Sequence, residues 1–187
     1  MADINSSAKI SSSLHGVVSG GVAVPGDEAA WDIIELLFFA YRDFVGDPDE
    51  VLLKYAFGRA HHRVLHFVNR KPGLTVAELL DVLQITKQSL ARVLKQLIDT
   101  GHVVQVQGPR DRRQRELYPT EKGRQLALDL ARPQSRRIDS ALKSIAADGR
   151  HTVEGFLKAM VNPELRPQID AMPNRSAAPS EGGRHDG

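Results

Sequence analysis

The chain has 187 residues, of which 41% are hydrophobic, and its 25 Lys and Arg against 23 Asp and Glu give a net charge of +2. This length suits one ordinary domain with tails. The sequence contains no cysteine, which excludes disulfides, thiolate metal sites, cysteine nucleophiles and thiol-based redox sensing. Its longest apolar run, Leu36 to Tyr41, is six residues long, whereas a membrane span needs about 20. Since the N-terminus also lacks the apolar region of a secretory signal, we predict a cytoplasmic protein without a membrane partner.

The net charge averages over three segments of different balance. Residues 1–53 carry two bases and nine acids, for −7, and residues 116–187 carry eleven bases and ten acids, for +1. Residues 54–115, in contrast, carry twelve bases and four acids, for +8. Such a basic segment is typical of a surface that faces nucleic-acid phosphates, and it is equally compatible with a solvated helical face.

The composition of both ends predicts tails around one folded domain. Residues 1–26 contain ten Ser or Gly and are predicted to form a disordered N-terminal tail. Residues 162–187 contain four prolines and a mixture of Gly, Ser and charged residues, which predicts a disordered C-terminal tail. The domain is therefore predicted over residues 27–161.

Apolar spacing and capping signals predict helices over most of this domain. In chain order they run from 27 or 28 to 45, from 48 or 51 to 69, and over about 76–83, 87–100, 120–145 and 153–160. Thr75 and Glu78 form a capping box before the third helix. Thr86 caps the fourth, and Gly101 ends it at the C′ position. Pro133 is expected to bend the fifth helix, because proline cannot donate the interior hydrogen bond.

After Gly101 the spacing of the apolar residues changes from a helical repeat to a repeat of two residues. Val104 and Val106 alternate with glutamines, and Glu116-Leu117-Tyr118 follows a charged tip, which predicts a β-hairpin with a long basic turn. Two short helices joined by a tight turn and followed by a hairpin make a winged helix-turn-helix. The predicted fold is therefore mainly α with a small β-hairpin wing, and the winged helix-turn-helix occupies about 51–119.

The second helix of this motif and the hairpin tip carry side chains suited to DNA. Polar and basic residues on the exposed side of the helix are the types that bind base edges and phosphates in a major groove. The tip places four arginines around one aspartate, and the long planar cation of arginine suits a narrow minor groove. The candidate DNA-binding residues are Thr86, Lys87, Gln88, Ser89, Arg92 and Lys95 on the helix and Arg110, Asp111, Arg112, Arg113 and Arg115 on the tip.

Four runs of the sequence cover the predicted helix-turn-helix and its wing: Leu74-Thr-Val-Ala-Glu-Leu-Leu, Ile85-Thr-Lys-Gln-Ser-Leu, Leu97-Ile-Asp-Thr-Gly-His-Val-Val and Asp111-Arg-Arg-Gln-Arg-Glu-Leu-Tyr-Pro-Thr-Glu-Lys-Gly. They resemble the MarR family of bacterial transcriptional regulators. The resemblance covers residues 28–161, and its sharpest motif is the Asp-x-Arg wing followed by Thr-x-x-Gly. It implies that Arg113 enters the minor groove and that Asp111 helps to hold the tip. Pro119 departs from the family, which more often has leucine before the threonine.

The resemblance also implies a homodimer whose dimerisation helices are the segments 27–46 and 120–161. One winged unit reads only a few base pairs, so two copies on a palindromic operator, with half-sites about 34–36 Å apart, are expected to supply specificity. The apolar residues of the first and last helices exceed what a lone winged unit covers, which fits an obligate interface. Alternatively, these helices only cap the core of a monomer.

Aromatic, imidazole and guanidinium side chains cluster along the second predicted helix. In the MarR family this helix borders a pocket that binds small aromatic acids. Charge-assisted hydrogen bonds and ring stacking suit an aromatic carboxylate, for example a hydroxybenzoate or a hydroxynicotinate. The candidate ligand-binding residues are Tyr55, Arg59, His62 and His66 along one helical face, His61 and Arg63 beside them, and the nearby Tyr41 and Phe44.

Two other interpretations of the histidines stay open. His62 and His66, spaced i and i+4, suit a divalent metal ion, although no third ligand is evident from the sequence. Alternatively, both are ordinary surface or core residues of the helix.

The sequence thus favours a homodimeric DNA-binding repressor that a small ligand releases from its operator. The alternatives are a metal-responsive regulator and a winged-helix protein-interaction module that does not bind DNA. An enzyme is not predicted, because the sequence has no nucleophile elbow, no phosphate-binding glycine loop and no metal triad. No cofactor is predicted.

Overall fold

Helix α1 spans Trp31–Gly46 in a computed structural model that describes residues 30–108, 114–145 and 148–172. The chain forms two compact units, Met1–Ala40 and Tyr41–Gly187, so that the boundary falls within α1. Of the first unit, residues 30–40 are described. The predicted N-terminal tail lies outside the described residues. The exposed apolar side chains of this part of α1 are Trp31, Ile33, Leu36, Phe38 and Phe39.

The segment predicted as one long second helix is two helices, α2 (Asp49–Leu53) and α3 (Arg59–Arg70). Between them, Ala56 adopts the left-handed backbone conformation with φ of 54°. The amide of Phe57 donates to the carbonyl of Leu52 at 3.0 Å. This turn carries the Phe57 ring into the core, where it is 5% exposed. Burial of an aromatic side chain therefore outweighs the helical pattern of the segment.

Helices α4 (Val76–Leu83) and α5 (Lys87–Asp99) begin at the predicted caps. The amide of Glu78 donates to Thr75 Oγ1 at 3.2 Å, and the amide of Thr75 donates to a Glu78 carboxylate oxygen at 2.8 Å. These reciprocal bonds are the predicted capping box. Thr86 caps α5, so the turn of residues 84–86 joins two helices whose starts are both fixed by side chains.

Three short antiparallel strands form one sheet in the order β1-β3-β2. The strands β2 and β3 make the predicted hairpin, in which Val104 lies opposite Tyr118. Strand β1 was not predicted; it pairs with β3 so that Leu74 lies opposite Leu117. A strand of two residues is too short to produce a periodic signal. The bounds are Leu74–Thr75 for β1, Val103–Gln107 for β2 and Arg115–Pro119 for β3.

Helix α6 spans Glu121–Lys143 and continues through Pro133. At its start, the amide of Gly123 donates to Thr120 Oγ1 at 3.0 Å. A Cβ atom at Gly123 would lie 1.9 Å from the carbonyl oxygen of His102. The Thr-x-x-Gly motif therefore has two structural roles: the threonine caps α6, and the glycine lets α6 approach the backbone before β2.

The C-terminal part of the domain contains more helix than predicted. Helix α7 spans Gly149–Met160, a 3-10 turn spans Pro163–Leu165, and α8 spans Arg166–Asp170. The tail predicted from residue 162 therefore begins with helical turns. Arg166 Nη2 donates to the carbonyl of Ala159 at 2.9 Å, which gives a carbonyl at the end of α7 a donor. Residues 173–187 lie outside the described residues.

The hydrophobic core of the second unit joins the helix-turn-helix to α2, α3, the sheet and α6. Helices α4 and α5 contribute Leu79, Leu83, Leu90, Val93, Leu94 and Leu97 to this core, and Leu80 packs at its edge. Within the described ranges, no helix combines the length and the apolar character that crossing a membrane requires. The core residues are Leu52, Phe57, Val64, Leu65, Val68, Leu74, Leu79, Leu83, Leu90, Val93, Leu94, Leu97, Val103, Leu117, Leu126 and Leu130.

Candidate functional site

Helix α5 has one buried apolar side and one exposed polar side. Its buried residues are Leu90, Val93, Leu94 and Leu97. Because these four anchor the helix in the core, the opposite side chains are held at the surface in a fixed orientation. All six DNA-binding residues predicted for this helix and its cap are exposed, namely Thr86, Lys87, Gln88, Ser89, Arg92 and Lys95.

Side chains at both ends of this exposed surface already form contacts within the protein. Thr86 Oγ1 accepts from the amide of Ser89 at 3.2 Å and donates to Ser89 Oγ at 2.9 Å. The ammonium of Lys95 pairs with the carboxylate of Asp99 one turn further on. A DNA contact made by Lys95 therefore has to replace an exposed ion pair, which is worth little in free energy.

The last turn of α5 leads directly into the wing. Gly101 has a φ of 72°, and its amide donates to the carbonyl of Ile98 at 2.9 Å. The amide of His102 donates to the carbonyl of Leu97 at 2.8 Å. These two bonds form a Schellman motif, which confirms the predicted C′ position of Gly101 and turns the chain into β2.

The strands β2 and β3 hold both ends of the wing tip. Gln107 lies opposite Arg115, and the amide of Gly108 donates to the carbonyl of Gln114 at 3.0 Å. Arg115 is exposed. The other predicted wing residues, Arg110, Asp111, Arg112 and Arg113, lie outside the described residues, and their roles remain predictions.

A cavity of about 260 Å³ lies between the C-terminal part of α1, α3 and α6, all within the second unit. Five of its lining residues have the i, i+3, i+4, i+7 and i+8 spacing of one face of α3. Six of the eight predicted ligand-binding residues line it, together with three more side chains. The lining residues are Tyr41, Phe44 and Val45 of α1, Arg59, His62, Arg63, His66 and Phe67 of α3, and Gln134 of α6.

The two histidines of the cavity are uncharged at neutral pH. Burial lowers the pKa of His62 to about 4, and the neighbouring His66 acts in the same direction. Burial also lowers the pKa of His66, with a contribution from Arg70, although part of the His66 surface reaches solvent. Their imidazoles therefore offer hydrogen bonds to a ligand and leave the positive charge of the cavity to its arginines.

The two arginines of the cavity have partners of different charge. Arg59 makes a bidentate pair with Asp49, with Nη2–Oδ2 and Nε–Oδ1 distances of 2.7 and 3.1 Å. This hydrogen bonding from Arg59 lowers the pKa of Asp49. Arg63 Nη2 instead donates to the carbonyl of Leu83 at 3.1 Å. The charge of Arg59 thus faces a carboxylate, whereas that of Arg63 faces the end of α4.

The other two predicted ligand-binding residues, Tyr55 and His61, do not line the cavity. Tyr55 lies in the turn between α2 and α3, where its ring packs edge-on against His102 with centroids 5.6 Å apart. His61 Nδ1 accepts from the amide of Gly58 at 3.0 Å, and its Nε2 lies 2.8 Å from Gln96 Oε1. Tyr55 lies off the cavity face of α3 because α2 ends at Leu53 and the chain turns there, and His61 lies off it because it caps α3 from the opposite side.

Known proteins of similar sequence decide which family this architecture belongs to. The sequence profile of the MarR family matches residues 57–114. The HTH-type transcriptional regulator PetP of Rhodobacter capsulatus is 49% identical over 143 residues, which cover 75% of this chain and 84% of PetP. The chain belongs to the MarR family.

Solved structures agree with this assignment at the level of fold. A MarR transcriptional regulator from Methanosarcina mazei Go1 has 25% identity and a TM-score of 0.56, covering 76% of this chain and 97% of that one. A mutant MarR from E. coli, complexed with operator DNA, has 22% identity and a TM-score of 0.55, covering 70% of this chain and 94% of that one. The predicted winged helix-turn-helix fold is confirmed.

Membership of the MarR family identifies the protein as a helix-turn-helix transcriptional regulator. It also agrees with the prediction that the protein is not an enzyme. The family match begins at Phe57, one residue before the cap of α3, and reaches the start of β3. It therefore includes the cavity face of α3 and the whole exposed side of α5.

The predicted metal alternative gains no support from the geometry. In the described parts of the chain, no group of three or more His, Cys, Asp or Glu side chains is placed to hold a metal ion. His62 and His66 both line the cavity, but Asp49, the carboxylate close to His62, is already paired with Arg59. A pair of imidazoles alone is short of the ligand set that zinc requires.

Three lining residues are not among the predicted ligand-binding residues, namely Val45, Phe67 and Gln134. Gln134 Nε2 donates to the carbonyl of Phe44 at 3.0 Å, which holds α6 against the end of α1. The two residues are 90 positions apart, and no local pattern links them. The contact follows from the packing of α6, which a single sequence does not reveal.

Proposed function

We propose that this MarR-family regulator is a homodimeric repressor that binds a palindromic operator and is released from it by a small aromatic carboxylate. The observation that carries the DNA-binding part is the exposed side of α5. Basic and amide side chains on a rigidly anchored helix are the means by which winged helix-turn-helix proteins contact a major groove. The MarR relative solved with operator DNA has the same fold, which supports the same use of α5 here.

The exposed side of α5 argues against a protein-interaction module that has lost DNA binding. Such a module is expected to present an acidic or apolar surface. The exposed side instead carries two lysines and an arginine, whereas Leu90, Val93, Leu94 and Leu97 on the other side of α5 are buried. Seven of the twelve bases in residues 54–115 belong to α5 or to the predicted wing tip, and such basic side chains are suited to reading DNA.

The hairpin supports a second contact with DNA through the wing. Its strands pair up to Gln107 and Arg115, so the two ends of the predicted wing tip lie side by side. We propose that Arg113 enters the minor groove with Asp111 holding the tip, and that Arg110, Arg112 and Arg115 contact phosphates. Arginine suits the strongly negative potential of a narrow minor groove.

Exposed apolar side chains on the flanking helices support the homodimer. Helix α7 carries Val153, Phe156, Leu157 and Met160, which are between 36% and 53% exposed. Helix α1 has no buried residue in the described chain. Exposed apolar surface of this kind marks an interaction site, and we propose that α1, α6 and α7 form the dimer interface.

The cavity supports a small aromatic carboxylate as the effector. Its volume of about 260 Å³ suits one substituted ring. Tyr41, Phe44 and Phe67 offer aromatic surface for stacking, and the arginines offer charge-assisted hydrogen bonds to a carboxylate. The neutral imidazoles of His62 and His66 are suited to a phenolic hydroxyl. A hydroxybenzoate or a hydroxynicotinate combines all three features.

Binding to a selected operator tests the DNA-binding part of the proposal. A duplex is first selected by the protein from a random-sequence library, and its affinity is measured by fluorescence anisotropy at several salt concentrations. We expect a steep fall of affinity with salt. We expect Arg92→Ala to weaken binding by about 1–3 kcal/mol.

Lys54→Ala is the control for this experiment. It removes one positive charge from an exposed side chain at the end of α2, outside α5 and outside the proposed dimer interface, and we expect it to leave operator affinity unchanged. Equal losses in both variants, or wild-type affinity in Arg92→Ala, would rule out α5 as the recognition helix.

Calorimetric titration with a panel of hydroxybenzoates and hydroxynicotinates tests the effector part. At least one acid is expected to bind and, when added to the protein–operator complex, to lower operator affinity. If none of the acids binds, or if binding leaves operator affinity unchanged, the effector part of the proposal is wrong.

A further inference from the structure

One hydrogen bond links the cavity directly to the helix-turn-helix. Arg63 lines the cavity, and its Nη2 donates to the carbonyl of Leu83 at 3.1 Å. Leu83 is the last residue of α4, and α5 begins at Lys87. The guanidinium of Arg63 therefore lies between the proposed effector site and the turn that positions the recognition helix.

The end of α4 depends on hydrogen-bond donors from outside the helix. The last carbonyls of any helix have no partner within it. Here Gln84, in the left-handed conformation with φ of 51°, supplies two donors: its amide bonds to the Leu80 carbonyl at 2.9 Å and its Nε2 bonds to the Asp81 carbonyl at 2.6 Å. The carbonyl of Leu83 receives its donor from Arg63. The side chain of Arg63 is thus part of the structure that ends α4.

The charges of the cavity direct an anion towards the same guanidinium. Arg59 is engaged by both oxygens of the Asp49 carboxylate, and desolvation leaves His62 and His66 uncharged at neutral pH. The cationic lining residue that faces a neutral carbonyl is Arg63. A guanidinium and a carboxylate attract each other as opposite charges and frequently form two parallel hydrogen bonds, whereas the carbonyl of Leu83 is neutral and accepts one bond, so a bound carboxylate competes well with it.

We infer that Arg63 is the residue that couples effector binding to DNA release. A carboxylate in the cavity draws the guanidinium away from the Leu83 carbonyl, the end of α4 loses its donor, and the turn of residues 84–86 shifts α5 out of its DNA-binding position. This inference rests on the proposed function. A ligand shifts a conformational equilibrium only if it interacts differently with the two conformations. Arg63 provides this difference, because it binds the Leu83 carbonyl in one conformation and the carboxylate of the ligand in the other.

The first measurement is the effect of saturating para-hydroxybenzoate, or of the tightest-binding acid of the panel, on operator affinity. For the wild type we expect a loss of about tenfold or more, within the usual range of allosteric coupling. For Arg63→Met, which keeps the aliphatic stem and removes the charge and the donors, we expect a loss of less than about twofold. Lys54→Met is the control: it removes one positive charge from an exposed side chain at the end of α2 that does not line the cavity, and we expect its response to saturating acid to match that of the wild type.

The second measurement separates coupling from mere ligand binding. Hydrogen–deuterium exchange is followed over residues 80–90 without DNA. If Arg63 secures the end of α4, then Arg63→Met without acid exchanges as fast in this segment as the wild type with acid. Arg63→Lys, which retains a donor and a positive charge, is expected to restore part of the protection. A residue that only binds the acid leaves the acid-free exchange of this segment unchanged.

The outcomes distinguish this inference from the proposed function. If the wild type binds no acid or does not respond to it, the effector part of the proposed function fails and the coupling role of Arg63 fails with it. If the wild type responds but Arg63→Met responds equally, or if its acid-free exchange equals that of the acid-free wild type, the role of Arg63 is overturned and the effector proposal stands.

Discussion

At Gly123 a single hydrogen atom in place of a side chain determines how closely α6 approaches the backbone before β2. A Cβ atom would lie 1.9 Å from the carbonyl oxygen of His102 and 2.9 Å from its carbon. Since backbone atoms cannot rotate away as a flexible side chain does, Gly123→Ala forces α6 and β2 apart. We expect Gly123→Ala to lower the free energy of unfolding by about 1–3 kcal/mol, the usual cost of overpacking, as measured by urea denaturation.

Gly155 of α7 provides the control for this prediction. An added Cβ there meets no atom within 4 Å. Alanine is also the better helix former by about 1 kcal/mol, so Gly155→Ala is expected to be neutral or stabilising. A stability of Gly123→Ala equal to that of the wild type would contradict the close approach of α6.

Glu78 makes the stability that the cap of α4 contributes dependent on pH. Burial raises the pKa of its carboxyl, but hydrogen bonds from Lys71 and from the amide and hydroxyl of Thr75 outweigh burial and lower the pKa to about 2. In the unfolded chain the Glu78 carboxyl has its ordinary pKa of 4.5, so it binds a proton there at a higher pH than in the folded chain. The stabilisation is therefore lost as the pH falls from about 4.5 to about 2. We expect Glu78→Gln to be less stable than the wild type at pH 7, with a difference that shrinks over this pH range in urea denaturation.

Glu121→Gln is the comparison for Glu78. Glu121 occupies the first turn of α6, where its side chain is 88% exposed and pairs with Arg124. An exposed pair of this kind contributes little, and we expect a smaller difference at pH 7. If the two variants behave alike across the pH range, the capping box does not supply the stabilisation.

At the scale of elements, the sequence predicted the features whose causes are local. The capping box of Thr75 and Glu78, the cap at Thr86 and the C-terminal glycine of α5 each depend on residues within a few positions of one another. For the same reason the core side of α5 was predicted correctly: a 3.6-residue apolar repeat determines which side is buried.

Elements that depend on distant contacts were not predicted. The break between α2 and α3 occurs because Phe57 has to reach the core, although the local pattern favours helix. The strand β1 exists because β3, more than 40 residues further on, pairs with it. The same limit applies to the cavity: the face of α3 was predictable from spacing, whereas its closure by Gln134 of α6 and the pairing of Arg63 with the end of α4 were not.

At the scale of the whole molecule, the proposed dimer converts two weak DNA contacts into one strong contact. A single α5 covers a few base pairs, and specificity requires a second copy on the other half-site. Tethering two binding units raises overall affinity by a factor of about 10² to 10⁴ without any new contact. The apolar side chains of α7 would therefore determine operator affinity even though they do not contact DNA.

Leu157 of α7 allows this dependence to be tested. Its side chain is 52% exposed, so Leu157→Glu places no charge in the core of the protomer, but it would place one in the proposed dimer interface. We expect monomers in sedimentation velocity and a loss of affinity for the palindromic duplex of about a hundredfold or more, with an unchanged circular dichroism spectrum.

Leu53→Glu is the control, since Leu53 of α2 is 74% exposed and lies outside the proposed interface; it should remain dimeric. Dimers of Leu157→Glu with full operator affinity would remove α7 from the interface, and monomers with full affinity would show that one winged unit is sufficient.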